Sequence, residues 1–152
     1  MRAPIKTAAT FVFVFVCVAA AGANAAVDFR SVGERPAILY DAPSAQSQKR
    51  FIVNKGYPLE VIVVLQGWVK VRDAGGALNW VEAGNVSSKP RSVMVRVPVA
   101  QIRQAADDNA AVVFQAQQNV LMELSDVAGG WARVRHRDGV EGFVRAGQVW
   151  GI

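Results

Sequence analysis

The stretch Gly67-Trp-Val-Lys-Val-Arg72 recurs 63 residues further along the chain as Gly130-Trp-Ala-Arg-Val-Arg135. At the same offset, residues 37–86 align with residues 100–149 without a gap, and fourteen of these fifty positions are identical. Composition alone gives roughly three to five identities in so Ala- and Val-rich a chain. The shared residues are mainly glycines, aromatic residues and valines, which a small β fold constrains. The chain therefore contains an internal duplication.

Each copy predicts short strands joined by tight turns. In the first copy, residues 57–65 are rich in β-branched residues, residues 68–72 alternate apolar and polar side chains, and residues 73–76 have the composition of a hairpin turn. The second copy repeats this order, and neither copy shows a helical period. Since a copy has only about 60 residues, a small barrel is favoured. We therefore predict an all-β chain with two tandem barrels, over residues 27–88 and residues 91–152.

The N-terminal residues 1–25 have the parts of a secretory signal peptide. Two basic residues precede an apolar run over residues 11–21, and small residues allow cleavage between Ala25 and Ala26. The alternative is an uncleaved membrane anchor, but the apolar run is short against the ~20 residues that a spanning helix needs. We expect a periplasmic or secreted protein without stable membrane insertion after cleavage.

The few reactive side chains argue against an enzyme. Cys17 is the only cysteine and lies in the predicted signal peptide, so thiol catalysis, disulfides and cysteine metal sites are not expected in the exported chain. His136 is the only histidine and has no evident serine partner or cluster of further metal ligands. Phosphate-loop, nucleophile-elbow and zinc motifs are missing from the sequence. We predict a protein that is not an enzyme and uses no cofactor or metal.

The charge of the chain indicates no nucleic-acid partner. The net charge is +5, two of the basic residues lie in the predicted signal peptide, and most of the others are scattered. The main concentration is the series Arg133, Arg135 and Arg137. It is interpreted either as a basic stripe for an anionic partner or as an exposed strand face that is protected against edge pairing.

Several motifs resemble those of a bacterial SH3 (Src homology 3) domain. In the first copy they are Ile38-Leu-Tyr-Asp-Ala-Pro43, Lys55-Gly-Tyr-Pro-Leu-Glu-Val-Ile62 and Gly67-Trp-Val-Lys-Val71, and the second copy supplies Gly142-Phe-Val-Arg-Ala-Gly-Gln-Val149. The chain is similar to small exported proteins of Gram-negative bacteria that contain this domain. The resemblance implies SH3-like five-stranded barrels that bind cell-wall peptides or protein segments.

In SH3-like folds the ligand surface lies between the long first loop and the loop before the tryptophan. The side chains that map there are the candidate ligand-binding residues: Tyr40, Trp68, Trp80 and Asn85 in the first copy, and Trp131 and Phe143 in the second. Arg103 stands in the second copy where the first has Tyr40, so the first copy has the better aromatic surface. For Trp68 and Trp131, ligand stacking and a structural role at the barrel end both remain open.

The sequence thus predicts an exported, non-catalytic binding module for cell-wall peptides or for an envelope protein. The alternative is a structural or scaffolding protein that binds through sheet edges or through the seam between its domains. A short linker, Ser87-Ser-Lys-Pro90, is followed at once by a strand-like pattern, which predicts barrels that pack or hold a fixed angle. Trp150 is expected to pack against a barrel or in this seam.

Overall fold

The computed structural model describes residues 26–152, and the predicted signal peptide lies outside the described residues. Within this part of the chain the regular structure consists of strands and two 3₁₀ turns, Ala83–Asn85 and Ala146–Gln148. Among the described residues no helix is long and apolar enough to cross a membrane. The predicted all-β class with two tandem SH3-like units is confirmed.

The first sheet has seven strands, all paired antiparallel in the order β3-β2-β6-β5-β4-β1-β7. Their bounds are β1 (Phe29–Val32), β2 (Ala37–Tyr40), β3 (Lys49–Val53), β4 (Pro58–Leu65), β5 (Trp68–Arg72), β6 (Leu78–Glu82) and β7 (Val86–Ser87). A tight turn with Gly67 at φ 79° joins β4 to β5, a conformation that favours glycine. The short connections over residues 66–67 and 73–77 explain why β4, β5 and β6 are neighbours in the sheet.

The second sheet repeats the first. Its strands are β8 (Ser92–Val95), β9 (Val99–Arg103), β10 (Val112–Gln117), β11 (Leu121–Ala128), β12 (Trp131–Arg135), β13 (Glu141–Arg145) and β14 (Val149–Trp150), in the order β10-β9-β13-β12-β11-β8-β14. The resemblance implied five strands in each barrel. Each sheet has seven because a strand that precedes the copy (β1, β8) joins it, and a two-residue strand (β7, β14) follows the 3₁₀ turn.

The two cores occupy equivalent positions. On β5, Val69 and Val71 are fully buried while Lys70 between them is half-exposed, as the side-chain period of a strand requires. Leu39 and Ile102, 63 residues apart, are both fully buried. Burying such an aliphatic side chain stabilises the fold by roughly 1.5–3 kcal/mol. The duplicated pattern therefore builds two separate cores.

Glu60 on β4 faces Arg72 on β5 across the hairpin. Both carboxylate oxygens accept hydrogen bonds from Arg72 Nη1, at 2.9 and 2.8 Å. In the second sheet Glu123 faces Arg135 in register, but the hydrogen-bonded pair there is Arg133 with Glu141, at 2.7 Å.

The barrels pack against each other, as one of the two expected arrangements requires. Ser92 Oγ donates to the Gly56 carbonyl oxygen at 2.5 Å and lies 2.6 Å from Ser31 Oγ. Since the Ser92 hydroxyl uses its proton on Gly56, Ser31 is the donor between the two serines. Trp150 also lies in this seam and donates from Nε1 to the Pro58 carbonyl oxygen at 3.1 Å. The seam therefore joins β1 and the start of β4 in the first barrel to the first and last strands of the second.

Gly151 permits this close approach. Its φ is 114°, and a Cβ at this position would lie 2.5 Å from the Ser92 carbonyl oxygen and 2.9 Å from Pro58 Cβ. A side chain there would push the first barrel away from the second. The Trp150 ring beside it meets Phe29 edge-on, with centroids 5.1 Å apart.

Candidate binding surfaces on the two barrels

In the first barrel, three strands bring the predicted aromatic residues together. Tyr40 ends β2 and is the register partner of Trp80 on β6, while Trp68 begins β5. The Tyr40 and Trp68 rings meet edge to face, with centroids 5.4 Å apart and an interplanar angle of 86°. Tyr40 is only 5% exposed, whereas Trp68 and Trp80 are half-buried. The two tryptophans therefore provide the accessible surface, and Tyr40 supports Trp68 from behind.

Polar groups surround this aromatic surface. Lys70 Nζ lies 5.8 Å from the Trp80 ring centroid, within the range of a cation–π contact. Asn85 is half-buried in the 3₁₀ turn, and its Nδ2 lies 3.5 Å from Glu82 Oε2. Glu82 in turn faces Trp68 across β5 and β6. The surface can stack apolar groups on its rings and exchange hydrogen bonds with a peptide backbone.

The long loop over residues 41–48 is held by its own hydrogen bonds. The Gln48 amide donates to Asp41 Oδ1 at 3.0 Å, and the Asp41 amide donates to the Gln48 carbonyl oxygen at 3.1 Å. Ser47 Oγ lies 2.6 Å from the Ser44 carbonyl oxygen. A loop tied at its base and across its tip needs little ordering on binding, which lowers the entropic cost of a contact there.

In the second barrel, an arginine covers the equivalent tryptophan. The Arg145 guanidinium carbon lies 4.3 Å from the Trp131 ring centroid, and Trp131 is only 6% exposed. The Asp108 carboxylate holds this guanidinium through two contacts, one of them 3.1 Å from Arg145 Nε. The hydrogen bond from Arg145 lowers the pKa of the Asp108 carboxyl below its usual range. The Trp131 ring is therefore covered by the Arg145 side chain, which Asp108 holds in place.

A polar cavity of about 490 Å³ lies beside Trp131. Arg103 lines it, donates from Nη1 to the Ala110 carbonyl oxygen at 2.7 Å and lies 2.6 Å from Gln101 Oε1. Gln148, the counterpart of Asn85, also lines the cavity. Phe143 is half-buried and faces Arg103 in register. The structure thus brings Trp131 together with cations rather than with a second aromatic ring.

Sequence reasoning did not include Arg145 and Asp108 among the site residues. A signal for Arg145 existed, because counting outward from the turn after β12 pairs Trp131 with Arg145. Asp108 comes from a loop 37 residues away in the chain, and no local pattern connects it to Arg145. Whether any of the six predicted residues binds a ligand stays a prediction.

His136 lies in the turn after β12 and takes part in local contacts. Its Nδ1 lies 2.9 Å from Asp138 Oδ2, and its ring centroid lies 5.8 Å from that of Phe114. Asp138 also accepts a hydrogen bond from the Val140 amide at 3.0 Å, and these two contacts, the amide first, lower its carboxyl pKa. Over residues 26–152, no three His, Cys, Asp or Glu side chains are grouped so that they could hold a metal ion.

Comparison with known proteins identifies the repeated unit. The sequence family described as bacterial SH3 domain matches this chain twice, over residues 33–88 and residues 96–151. No curated protein matches the chain.

Solved structures that match this chain include NlpC2 and NlpC1 from Trichomonas vaginalis and an NlpC/P60 family protein from Bacillus cereus. NlpC2 is 13% identical with a TM-score of 0.38, and the match covers 82% of this chain and 48% of that one. NlpC1 is 13% identical with a TM-score of 0.39, over 90% and 50% of the two chains. The Bacillus cereus protein is 14% identical with a TM-score of 0.38, over 80% and 55%. The present chain therefore spans about half the length of each.

Proposed function

Because the chain belongs to the bacterial SH3 domain family, we propose that it is a non-catalytic binding module whose ligand lies across the first barrel. The proposed ligand is an extended peptide, either from the cell wall or from an envelope protein. The observation that supports this proposal is the pair of half-buried indoles, Trp68 and Trp80, backed by the buried Tyr40 ring. Asn85 beside them offers an amide for the ligand backbone.

The second barrel has a lesser role in this proposal. Trp131 and Phe143 occupy the equivalent positions, but a ligand reaches the Trp131 face only when the Arg145 guanidinium moves away. We propose that the second barrel mainly positions the first one through the packed seam, with Trp131 and Phe143 as weaker contacts.

The proposed site of action is the periplasm or the cell exterior. The signal peptide predicted over residues 1–25 supports this location, and a nucleic-acid partner is not part of the proposal.

A sedimentation assay with purified peptidoglycan tests the proposal. Wild-type protein is expected in the pellet, and Trp80→Ala in the supernatant, because the variant removes one of the two accessible rings. The matched control is Phe143→Ala, which truncates the equivalent side chain of the second barrel and should still sediment. Wild-type protein that stays in the supernatant would contradict binding to the cell wall.

The alternative function is scaffolding, in which a partner binds a sheet edge or the inter-domain seam. The specific observation in its favour is β3, an edge strand on which Phe51 and Ile52 are 53% and 74% exposed. In the second barrel Gln115 replaces Ile52, and Phe114 contacts the His136 ring. Capture of an envelope protein that Ile52→Lys abolishes and Trp80→Ala leaves intact would favour scaffolding over the aromatic surface.

A further inference from the structure

A cleft between the two barrels is lined by a concentration of basic side chains, none of which belongs to the aromatic surface. The cleft has a volume of about 890 Å³ and is lined by both barrels and by the linker between them. Five basic and two acidic side chains line it: Lys55, Lys89, Arg91, Arg135 and Arg137, with Glu34 and Glu123. We infer that this cleft binds an acidic peptide segment of a partner protein. The inference does not rest on binding at the aromatic surface; it assigns one class of ligand to the inter-domain seam of the alternative function.

Most of this positive charge is free to meet a ligand. Lys55 Nζ lies 2.6 Å from Glu34 Oε2, so these two side chains largely neutralise each other. Within residues 26–152, no carboxylate oxygen lies within 4.0 Å of a nitrogen of the other four basic side chains. All four are exposed. An incoming carboxylate therefore does not have to displace an existing ion pair.

The cleft is held in shape by the seam. Ser92 Oγ is tied to Ser31 Oγ and to the Gly56 carbonyl oxygen, and all three residues line the cleft. In the linker, Ser87 Oγ donates to the Lys89 carbonyl oxygen at 2.7 Å and accepts from the Lys89 amide at 3.2 Å. Because the backbone that carries the cations is fixed, binding pays little for ordering it.

The lining favours a peptide over a purely anionic polymer. Pro90 is exposed in the cleft, and Val120 and Leu121 beside it are half-buried. A ligand that gains from these groups must bring apolar side chains as well as carboxylates. An acidic peptide with interspersed apolar residues has both, whereas a sulfated or phosphorylated polysaccharide has the charge without apolar side chains.

Fluorescence anisotropy with a short labelled peptide that alternates Glu and Leu tests the inference. We expect the protein to bind this probe and to bind it more weakly as salt is added, because exposed charges are screened. The double variant Lys89→Glu/Arg137→Glu should raise the Kd about tenfold, since each reversal removes one attraction and adds one repulsion. Both residues are exposed, so unchanged thermal unfolding is expected for this variant.

The matched control is Lys49→Glu/Arg50→Glu, which changes the net charge equally on exposed residues of β3 outside the cleft. It should leave the Kd within about twofold of the wild type. An equal loss in both double variants would overturn the site, as would failure of the wild type to bind the probe. Dextran sulfate that binds as tightly as the peptide, with the same dependence on Lys89 and Arg137, would overturn the assignment to a peptide.

Discussion

The two barrels share their strand order and their tryptophan, yet they present that tryptophan differently. In the first barrel, Trp68 faces Glu82 across two strands and keeps part of its ring accessible. In the second barrel, the same register places Arg145 opposite Trp131, and the guanidinium lies over the ring. The exposure of the ring thus differs together with the charge of the residue at one cross-strand position. This difference does not alter the fold.

Both β4 and β11 have a β-bulge in the pairing with the next strand, between Val61 and Val63 and between Leu124 and Asp126, and the residues beyond it also differ in exposed apolar surface. On β4, residues 62–65 are Ile-Val-Val-Leu and all four side chains are exposed, with Val64 at 55%. On β11, the equivalent residues 125–128 are Ser-Asp-Val-Ala. Exposed apolar area is a property of interaction surfaces more than of stability. At this hairpin the first barrel therefore has the more apolar exterior and the second the more polar one.

The largest expected effect on stability concerns one buried position at which only the second barrel has a glycine, close to the backbone of β9. Asn79 in the first barrel is replaced by Gly142 in the second, where a Cβ would lie 2.5 Å from Ile102 Cγ2 and 2.8 Å from the Arg103 carbonyl oxygen. Gly142→Ala should destabilise the protein by about 3 kcal/mol, because backbone must move to admit the methyl group. Urea unfolding followed by circular dichroism measures this change.

Gly147→Ala is the control for that prediction, since no neighbouring atom lies within 4 Å of its added Cβ. Equal unfolding midpoints for the two variants would show that the second barrel accommodates a side chain at position 142.

The next effect tests whether the residue facing the tryptophan controls ligand access. Glu82→Arg gives the first barrel the side chain that covers Trp131 in the second. Binding to peptidoglycan should weaken about tenfold, or roughly 1.4 kcal/mol, because the ligand must displace a guanidinium from the Trp68 ring. A sedimentation binding curve measures the loss, and the reciprocal change Arg145→Glu should not weaken binding. If Glu82→Arg binds peptidoglycan with unchanged affinity, the residue opposite Trp68 does not control ligand access.

A smaller effect concerns two glutamates at equivalent positions, Glu60 and Glu123, of which only Glu60 makes an ion pair within residues 26–152. Glu60→Gln removes the charge from a carboxylate that is 17% exposed and hydrogen-bonded to Arg72, and should cost roughly 0.5–1 kcal/mol. Glu123→Gln should cost nearly nothing, because Glu123 is exposed and makes no ion pair among the described residues. Thermal unfolding of both variants measures the difference, and equal shifts would contradict it.

The smallest effect is the pH dependence of the cover on Trp131. Arg145 lowers the pKa of the exposed Asp108 in the folded protein. The pair therefore contributes its full stabilisation of the folded state above the unfolded-state pKa of the carboxyl. The contribution is lost as the pH falls through the lower, folded-state pKa. Fluorescence of Trp131, in a variant whose other tryptophans are phenylalanines, should change with a midpoint below that of an ordinary aspartate. Asp108→Asn should abolish this transition, and its persistence would assign the change to another group.

Much of the fold could be predicted from the sequence because the signals are local. The alternation over residues 68–72 places Val69 and Val71 inside the barrel, and the glycine before Trp68 marks the turn. The surface could be predicted only in part. The resemblance to bacterial SH3 domains assigned Tyr40 to the ligand surface, but the sequence did not indicate that its ring would be 5% exposed and packed against Trp68. Burial depends on which neighbour covers a ring, and these neighbours come from different strands.

By itself, the sequence determined the duplication, the all-β class and the two cores, since each follows from the repeat, the period of the strands or the turn residues. Only the tertiary structure decided that Asp108 holds Arg145 over Trp131 and that cations from two barrels and a linker line one cleft. These groups are far apart in the chain, so their distances depend on how the barrels close and pack. The alternation of apolar and polar residues predicts which side of a strand is buried. Contacts between loops that are distant in the chain depend on how all the strands and connections of the fold are arranged.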